Sequence, residues 1–320
     1  MAVGLFRGKE FEIEVLRVVF DLDDPYVVAY RQIHAISSPS GDVVEILERS
    51  SCYGGSAWAR YHYSKGPLVV SSRNLGEWFR YLVRTGEVDL DLISSRRSAG
   101  ISSVFVKGDE VEITYTGLGG GGVGATFTRA RAGDVLRSRT TEAGGGRVAT
   151  GTIVVPRRER LVIGVDNTDS KTTGATWSLV HNISEKVDRY EARYISHSLV
   201  QLFPVPTKTQ NCVSTAVEFA CIPGREGEMI EDFRRLLERY TVSDETGMVV
   251  CRSFDPSMLL EYARRCRLER VSYEDALKAA RSAGLEIVMD GQGLIGAVAA
   301  VPYFADSDRS VVPEWLCEEH

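Results

Sequence analysis

The chain has 320 residues, of which 43% are hydrophobic, and a formal net charge of −6 from 44 acidic and 38 basic side chains. This length suits two packed domains, and the apolar content is enough for a core in each of them. An acidic chain has no excess positive field to hold a phosphate backbone, so we do not expect nucleic acid as a partner.

No segment approaches the roughly 18 uninterrupted apolar residues of a membrane span, and the first residues lack the apolar core of a signal peptide. We therefore expect a cytoplasmic protein with no membrane partner. The six cysteines are scattered without a Cys-x-x-Cys pair. This spacing argues against a zinc ribbon or a disulfide framework, and it predicts reduced, mostly buried thiols.

The first half of the chain is typical of strands and hairpins with one or two helices. Residues 11–20 are rich in Val, Ile and Leu, which predicts a buried strand. Residues 75–85 carry apolar side chains at helical spacing, which predicts a short amphipathic helix. The β-formers at 104–106 and 111–115 flank the polar turn 107–110, which predicts a hairpin.

Two glycine clusters follow, at 117–124 and 144–146. The first cluster could hold an anion through its amides, but it lacks the Gly-Lys-Ser/Thr ending of a P-loop, so we favour a flexible hairpin loop. The composition changes at 156–160. We place a domain boundary there, which gives an N-terminal domain at 1–157 and a second domain at 158–320.

The second half alternates strands and helices more regularly, as expected of an α/β arrangement. Its clearest helix, 228–240, has apolar side chains on one face and charged side chains on the other. A helix that begins at Ser272 has a near capping box and a glycine stop at Gly284. The other expected elements are strands at 161–166, 213–222 and 285–290, and a helix at 294–301.

An acidic loop leaves the strand at 161–166 and carries the strongest local signal. Asp166 and Asp169 are three residues apart, and paired carboxylates are suitable hard ligands for Mg²⁺. Hydroxyl groups, a lysine and a glycine follow where a helix begins, a position that can receive phosphates. The alternative is an Asx-rich turn that caps this helix. The expected phosphate-binding residues of this loop are Thr168, Ser170, Lys171, Thr172, Gly174 and Thr176.

Gly291, Gly293 and Gly296 form a Gly-x-Gly-x-x-Gly motif between a strand and an apolar helix. This context favours a phosphate at a helix N-terminus, although too few residues follow for a dinucleotide-binding fold, so NAD is disfavoured. The alternative is close packing of a small-residue helix on a sheet. Residues 206–211 form a further basic and amide-rich turn, where Lys208 could neutralise a phosphate and Asn211 could orient a substrate. An ordinary solvated loop has a similar composition.

These motifs occur in an order that resembles the archaeal tRNA agmatinylcytidine synthetase family, whose members attach agmatine to a tRNA cytidine. That family has an Asp-Asp-Thr-Asp-Ser loop, a Pro-x-Lys-Thr-x-Gly-Asn turn and a Gly-x-Gly-x-Ile-Gly-Ala-x-Ala-Ala run. The similarity extends over residues 161–304. Together with the chain length and the glycine-rich first half, the whole chain resembles the methanogenesis marker protein 11 family, a methanogen family related to that synthetase.

The resemblance implies a kinase-like domain with a ferredoxin-like α/β portion, and ATP and Mg²⁺ as cofactors. The expected fold class is thus α+β / α/β: an N-terminal mixed α+β domain followed by a kinase-like and ferredoxin-like α/β half. Two departures stand out. Asn167 replaces the second Asp of the family's loop, which should weaken metal binding unless a nearby acid such as Asp290 compensates. Trp177 replaces the second threonine of a Thr-Thr pair, which puts a phosphothreonine step in doubt.

The leading functional hypothesis is an ATP/Mg-dependent phosphoryl- or group-transfer enzyme linked to methanogenesis, acting on a small-molecule or protein acceptor. Asp166, Asp169 and Lys208 would be catalytic, Asp290 would complete the metal site, and the glycine motif would hold phosphate through its amides. The alternative is a nucleotide-binding maturation or assembly factor for methyl-coenzyme M reductase without independent catalysis. RNA modification is a third, disfavoured hypothesis.

Overall fold

The computed structural model describes residues 24–209 and 211–314 as a mixed α+β fold, which confirms the expected fold class. The strand expected at 11–20 lies outside these residues. The described part of the first half contains eight strands and two short helices. These are β1 (Gln32–Ser37), β2 (Val43–Arg49), α1 (Tyr53–Tyr63), β3 (Val69–Leu75), β4 (Trp78–Arg84), β5 (Gly86–Glu87), β6 (Ala99–Lys107), β7 (Glu110–Leu118), α2 (Gly120–Val123) and β8 (Arg137–Thr140).

The segment 75–85 forms the turn and the second strand of a β-hairpin, so the helix predicted there is wrong. β3 and β4 pair antiparallel around a tight turn in which Gly76 has a positive φ of 57°. The apolar spacing of this segment also fits a strand, and its aromatic and branched side chains favour one. By contrast, β6 and β7 form the hairpin predicted around Lys107–Glu110, with Gly108 in the left-handed region.

The glycine run 117–124 is also not the flexible loop that we favoured. It continues from β7 into α2 and then into a π-helical turn at Gly124–Thr128. Glycine is favoured there because this segment packs directly on neighbouring backbone. A Cβ on Gly117 would lie 2.4 Å from Gly121 O, and one on Gly121 would lie 3.1 Å from Ser98 O.

A single long strand, β9 (Val148–Asp166), connects the two halves of the chain. Its first part pairs with β7 and β8, its middle with β1, and its last part with strands of the second half. The boundary predicted at 157/158 therefore falls inside an unbroken strand. Most of the apolar core is divided at this boundary, with one cluster formed by residues 30–155 and two by residues 161–305, but a smaller cluster that includes Trp78 and Ile195 contains residues of both halves. The division into two domains remains a prediction.

The second half contains the elements expected from its sequence and further strands and helices that the sequence analysis did not predict, namely β10, β12, α5 and α8 in the set that follows. They are α3 (Thr176–Val187), β10 (Ala192–Gln201), β11 (Val213–Cys221), α4 (Gly227–Tyr240), β12 (Gly247–Cys251), α5 (Leu260–Leu268), α6 (Tyr273–Ser282), β13 (Glu286–Asp290), α7 (Leu294–Ala300) and α8 (Ser307–Ser310). Ser272 caps α6 as predicted, because its side chain accepts a hydrogen bond from the Asp275 amide.

The order β9-α3-β10-β11-α4-β12 is a βαββαβ unit. Its strands lie side by side as β10-β11-β9-β12, with every neighbouring pair antiparallel, and β13 extends the sheet beyond β12. This is the ferredoxin-like topology. One face of the sheet packs on α3 and α4, and the other packs on α5, α6 and α7. The second face therefore brings α7 against the end of β9.

A buried set of four charged side chains joins the two halves. We call Glu45, Arg80, Arg160 and Glu218 the ionic joint. Arg80 Nη2 lies 2.8 Å from Glu45 Oε2 and 2.7 Å from Glu218 Oε1, and Arg160 also contacts both glutamates. All four side chains are at most 5% exposed, and both guanidinium groups lie over the Phe304 ring. The two carboxylates and the two guanidinium groups therefore compensate one another's charge in the interior of the protein.

In the described part of the chain, no helix is long and apolar enough to cross a membrane. The described cysteines are free thiols, as the sequence predicts. Cys221, Cys251 and Cys266 are buried, whereas Cys52 and Cys212 are half-buried.

Candidate functional site

A cavity of about 970 Å³ opens where β9 ends, at the same edge of the sheet as the end of β10 and the start of β11. It is bordered by the acidic loop after β9, the start of α3, the loop after β10, the α5–α6 connection and the glycine motif before α7. These segments are far apart in sequence. The topology thus brings together the three motifs that the sequence singled out. The predicted site residues that border the cavity are Asp166, Asp169, Gly174, Thr176, Lys208, Asn211, Gly293 and Gly296.

Asp166 is the last residue of β9, and its carboxylate lies directly against α7. Its Oδ1 accepts a hydrogen bond of 2.7 Å from the Asn167 amide. A Cβ placed on Gly296 would overlap Oδ2 and would lie 2.7 Å from the carboxyl carbon. Glycine at 296 is therefore required for the carboxylate to occupy this position.

Burial raises the pKa of Asp166 to about 7. The Asn167 amide lowers the pKa, but less strongly, and the nearby Asp169 carboxylate raises it further. No cation of the described residues forms an ion pair with this carboxylate. Such a perturbed acid beside a cavity is typical of functional sites.

Asp169 connects the acidic loop to the loop after β10. Its Oδ1 accepts a hydrogen bond of 2.9 Å from the Thr209 hydroxyl. Lys208, the neighbour of Thr209, is exposed and borders the cavity, and it forms no ion pair with the described residues. Asp166, Asp169 and Lys208 therefore border the same cavity, as the sequence-based hypothesis requires.

Several hydroxyl residues of the acidic loop have a structural role. Thr168 is buried, and both its amide and its hydroxyl donate to Thr176 Oγ1, at 3.2 Å and 3.1 Å. Ser170 Oγ accepts from the amides of Thr172 and Thr173 and closes a turn. Thr168, Ser170, Lys171 and Thr172 are not among the residues that border the cavity. For this part of the loop, the alternative of a turn before α3 describes the geometry better than phosphate contact does.

Asn167 has a positive φ of 60°, a conformation that Asn adopts more readily than most residues. Its side-chain amide donates to the Glu245 carbonyl oxygen at 3.3 Å. The side chain of Asn167 thus connects the acidic loop to the loop before β12. An aspartate there would place a carboxylate against a carbonyl oxygen.

The glycine motif is a packing device, and the amide cradle predicted there is wrong for its first three residues. Their amides already have acceptors, since Gly291 donates to Thr246 O, Gln292 to a Glu245 carboxylate oxygen and Gly293 to Glu245 O. A Cβ on Gly291 would overlap Glu245 backbone, and one on Gly293 would lie 2.5 Å from Asp166 O. The motif brings α7 close to Asp166 and leaves no free amide among residues 291–293.

The structure does not bring Asp290 to the two loop aspartates. Asp290 is exposed at the end of β13, and in the strand register it is separated from Asp166 by Gly247 of β12. Two strand spacings correspond to about 10 Å between their Cα atoms. Within residues 24–209 and 211–314, no three His, Cys, Asp or Glu side chains form a metal-binding group. The structure therefore does not support Asp290 as a further ligand of an ion held by Asp166.

Sequence reasoning missed the wall formed by the α5–α6 connection. Arg270 and Tyr273 border the cavity there, and neither lies in a recognisable motif. Trp177, noted only as a departure from a family pattern, is 51% exposed and borders the cavity at the start of α3. The position of this tryptophan, shortly after the acidic loop, was the one signal available from the sequence.

Comparisons with known proteins identify relatives of the second half. Residues 162–289 match the TiaS TCKD domain. The tRNA 2-agmatinylcytidine synthetase TiaS of Pyrococcus horikoshii, named for an isoleucine tRNA, is 27% identical over 150 residues, which cover 45% of this chain and 35% of the synthetase. The chain therefore matches about a third of that enzyme. A crystal structure of TiaS in complex with its isoleucine tRNA and ATP has a TM-score of 0.42 and 24% identity, over 45% of this chain and 36% of the other.

A further relative matches nearly the whole chain. The uncharacterized protein MJ0921 of Methanocaldococcus jannaschii is 36% identical over 299 residues, which cover 91% of this chain and 98% of that protein. The match therefore includes both halves. The chain belongs to the same family as MJ0921, and its second half is homologous to the TCKD domain of the TiaS synthetase.

Proposed function

We propose that the cavity binds ATP together with Mg²⁺ and that the protein is an ATP-dependent group-transfer enzyme. The observation that carries the proposal is the meeting at one cavity of two carboxylates, Asp166 and Asp169, with Lys208, whose ammonium group has no ion pair in the described chain. In a metal–phosphate complex, the carboxylates can bind the metal ion and the lysine can bind the phosphate. A ligand that contains both a metal ion and phosphate uses all three groups.

The oxygen donors of the acidic loop fit Mg²⁺. Mg²⁺ usually takes one or two protein carboxylates and completes its shell with water and substrate phosphate. One oxygen of Asp166 accepts a hydrogen bond from the Asn167 amide, and one oxygen of Asp169 accepts a hydrogen bond from the Thr209 hydroxyl. The second oxygen of each carboxylate would coordinate the metal ion. Asp166 and Asp169 would hold the ion, which would neutralise phosphate charge.

Residues of this chain would then position the phosphates. Lys208 would neutralise a phosphate oxygen as a point charge. The N-terminal end of α3, at Ala175–Trp177, borders the cavity and contributes the positive end of a 12-residue helix. Phosphoryl transfer depends mainly on such positioning and charge stabilisation. This arrangement supports group transfer without a nucleophilic side chain.

The family match supports the same function. The TCKD match at 162–289 covers Asp166, Asp169 and Lys208. The homologous protein is named as a synthetase that acts on an isoleucine tRNA, so a tRNA acceptor is included in the proposal beside a small molecule or a protein. This widens our sequence-based expectation, which disfavoured nucleic acid. The link to methanogenesis and the alternative role in maturation of methyl-coenzyme M reductase remain predictions.

Titration calorimetry with ATP, in the presence and absence of Mg²⁺, tests the proposal. We expect saturable binding only with the divalent cation. Asp169→Asn should weaken binding by at least about tenfold, which corresponds to about 1.4 kcal/mol. Asp244→Asn is the matched control, because Asp244 is exposed on a nearby loop and is not a cavity residue. Equal affinity with and without Mg²⁺, or no binding, would refute the proposal.

A further inference from the structure

The α5–α6 connection contributes a basic side chain to the cavity that the proposed function does not use. Arg270 is exposed, borders the cavity and has no ion-pair partner among the described residues. Its neighbour Glu269 is engaged elsewhere, because its Oε1 accepts from Arg265 Nε at 3.0 Å. Glu274, the other acid on this wall, forms no ion pair with Arg270 either. Arg270 therefore borders the cavity, and its guanidinium group forms no ion pair within the described chain.

The backbone around Arg270 is fixed. Val271 is buried in the core beneath α5 and α6, and Cys266 is buried one turn earlier. Ser272 caps α6 through the Asp275 amide at 3.1 Å. An exposed side chain on an anchored backbone loses less freedom on binding than one on a mobile loop. The backbone position of Arg270 at the cavity wall is therefore set before a ligand binds.

We infer that Arg270 is an oxyanion-binding residue, which takes a phosphate or carboxylate group of a ligand in this cavity. A guanidinium group binds such groups bidentately. The inference rests on the proposed function in placing a phosphate-bearing ligand here. The oxyanion belongs either to the nucleotide or to the acceptor, because about 970 Å³ is at the upper end of small-molecule pockets and accommodates both.

The test compares wild type, Arg270→Gln and Arg270→Lys in titration calorimetry with two probes. The probes are MgATP and, added to protein saturated with a non-hydrolysable MgATP analogue, inorganic phosphate. Arg281→Gln is the matched control, since Arg281 is exposed on α6 without an ion pair in the described chain and is not a cavity residue. Melting temperatures of all variants should be equal.

If the oxyanion belongs to the nucleotide, Arg270→Gln should weaken MgATP by about tenfold or more, with a smaller loss for Arg270→Lys. If it belongs to the acceptor, MgATP affinity should be unchanged and phosphate binding to the loaded protein should be lost. Unchanged binding of both probes in Arg270→Gln would overturn the inference while the proposed function stands. A wild type that binds no MgATP, but whose unloaded form binds phosphate with an affinity that Arg270→Gln removes, would overturn only the proposed function. Binding of neither probe would overturn both.

Discussion

The ionic joint and the cavity both contain charged side chains, but these charges are paired with one another in the joint and are partly unpaired at the cavity. In the joint, Glu45 and Glu218 are enclosed by Arg80 and Arg160, and every charge has an opposite charge within hydrogen-bonding distance. At the cavity, Lys208 forms no ion pair with the described residues and is reachable from solvent. Compensated charges fix how two halves of a molecule fit, whereas uncompensated charges are available to a ligand. Substitutions in the two places should therefore have different consequences.

The largest effect on stability is expected in the joint. Glu218→Gln removes the carboxylate shared by two buried guanidinium groups, and breaking a buried pair costs about 3–5 kcal/mol. Urea unfolding measures this cost. The matched control is Glu110→Gln, which breaks an ion pair with Arg137 on the surface and should cost about 1 kcal/mol or less. Equal losses in the two variants would show that the joint is not a stabilising cluster.

The joint should also make stability depend on pH. Burial by itself raises the pKa values of Glu45 and Glu218, but Arg80 and Arg160 outweigh it and hold both below the ordinary value. A depressed folded-state pKa gives stability that is complete above the unfolded pKa of about 4.3 and is lost as pH falls below it. The unfolding free energy of wild type should fall between pH 5 and 3. Glu218→Gln should show a shallower fall, and an identical slope would contradict this assignment.

Gly296→Ala tests the cavity with a change that removes no charge. The added methyl group would overlap the Asp166 carboxylate and lie 3.0 Å from Leu202 Cδ1. Overpacking of this kind costs about 1–3 kcal/mol, and the displaced carboxylate should weaken MgATP binding by about tenfold or more. Gly227→Ala is the control, because nothing lies within 4 Å of its Cβ position. Unchanged binding in Gly296→Ala would show that Asp166 does not contact the ligand.

Smaller effects are expected at Asn167 and Asp290, the pair for which the sequence suggested that one acid compensates for the loss of another. Asn167→Asp loses the hydrogen bond to Glu245 O, which should cost about 1 kcal/mol of stability without tightening Mg²⁺ binding. Asp290→Asn should change neither stability nor MgATP affinity, because its carboxyl group is exposed and distant from Asp166. Calorimetry and urea unfolding on both variants check this. A loss of ATP turnover in Asp290→Asn would restore the compensation hypothesis.

The sequence predicted the second half better than the first for a physical reason. Its helices carry their own signals, such as the apolar face of α4 and the Ser272 cap of α6, and these do not depend on distant contacts. The structures of the β3–β4 hairpin and of the helical glycine run depend on what packs against them. There, tertiary contacts with neighbouring strands decide between two locally acceptable structures.

At the candidate site, too, some residues could be predicted from the sequence and others could not. Asp166, Asp169 and Lys208 could be identified because each lies in a recognisable motif, and the topology then brings them to one cavity. The glycine motif was identified correctly but misinterpreted, since only the structure shows that its amides are already bonded. Arg270 could not be found, because a lone arginine at a helix end has no sequence signature.

Under the proposed function, Asp166 and Asp169 bind a metal–nucleotide complex and contribute little to the stability of the fold. The most direct test is the shift in melting temperature that MgATP causes in wild type and in Asp169→Ala. A ligand at 100 times its Kd stabilises the folded state by about 2.7 kcal/mol. We expect this shift in wild type, and we expect an apo Asp169→Ala protein that melts near the wild-type temperature but shows no shift. A large drop in the melting temperature of apo Asp169→Ala, with the MgATP shift retained, would instead identify the acidic loop as a structural turn.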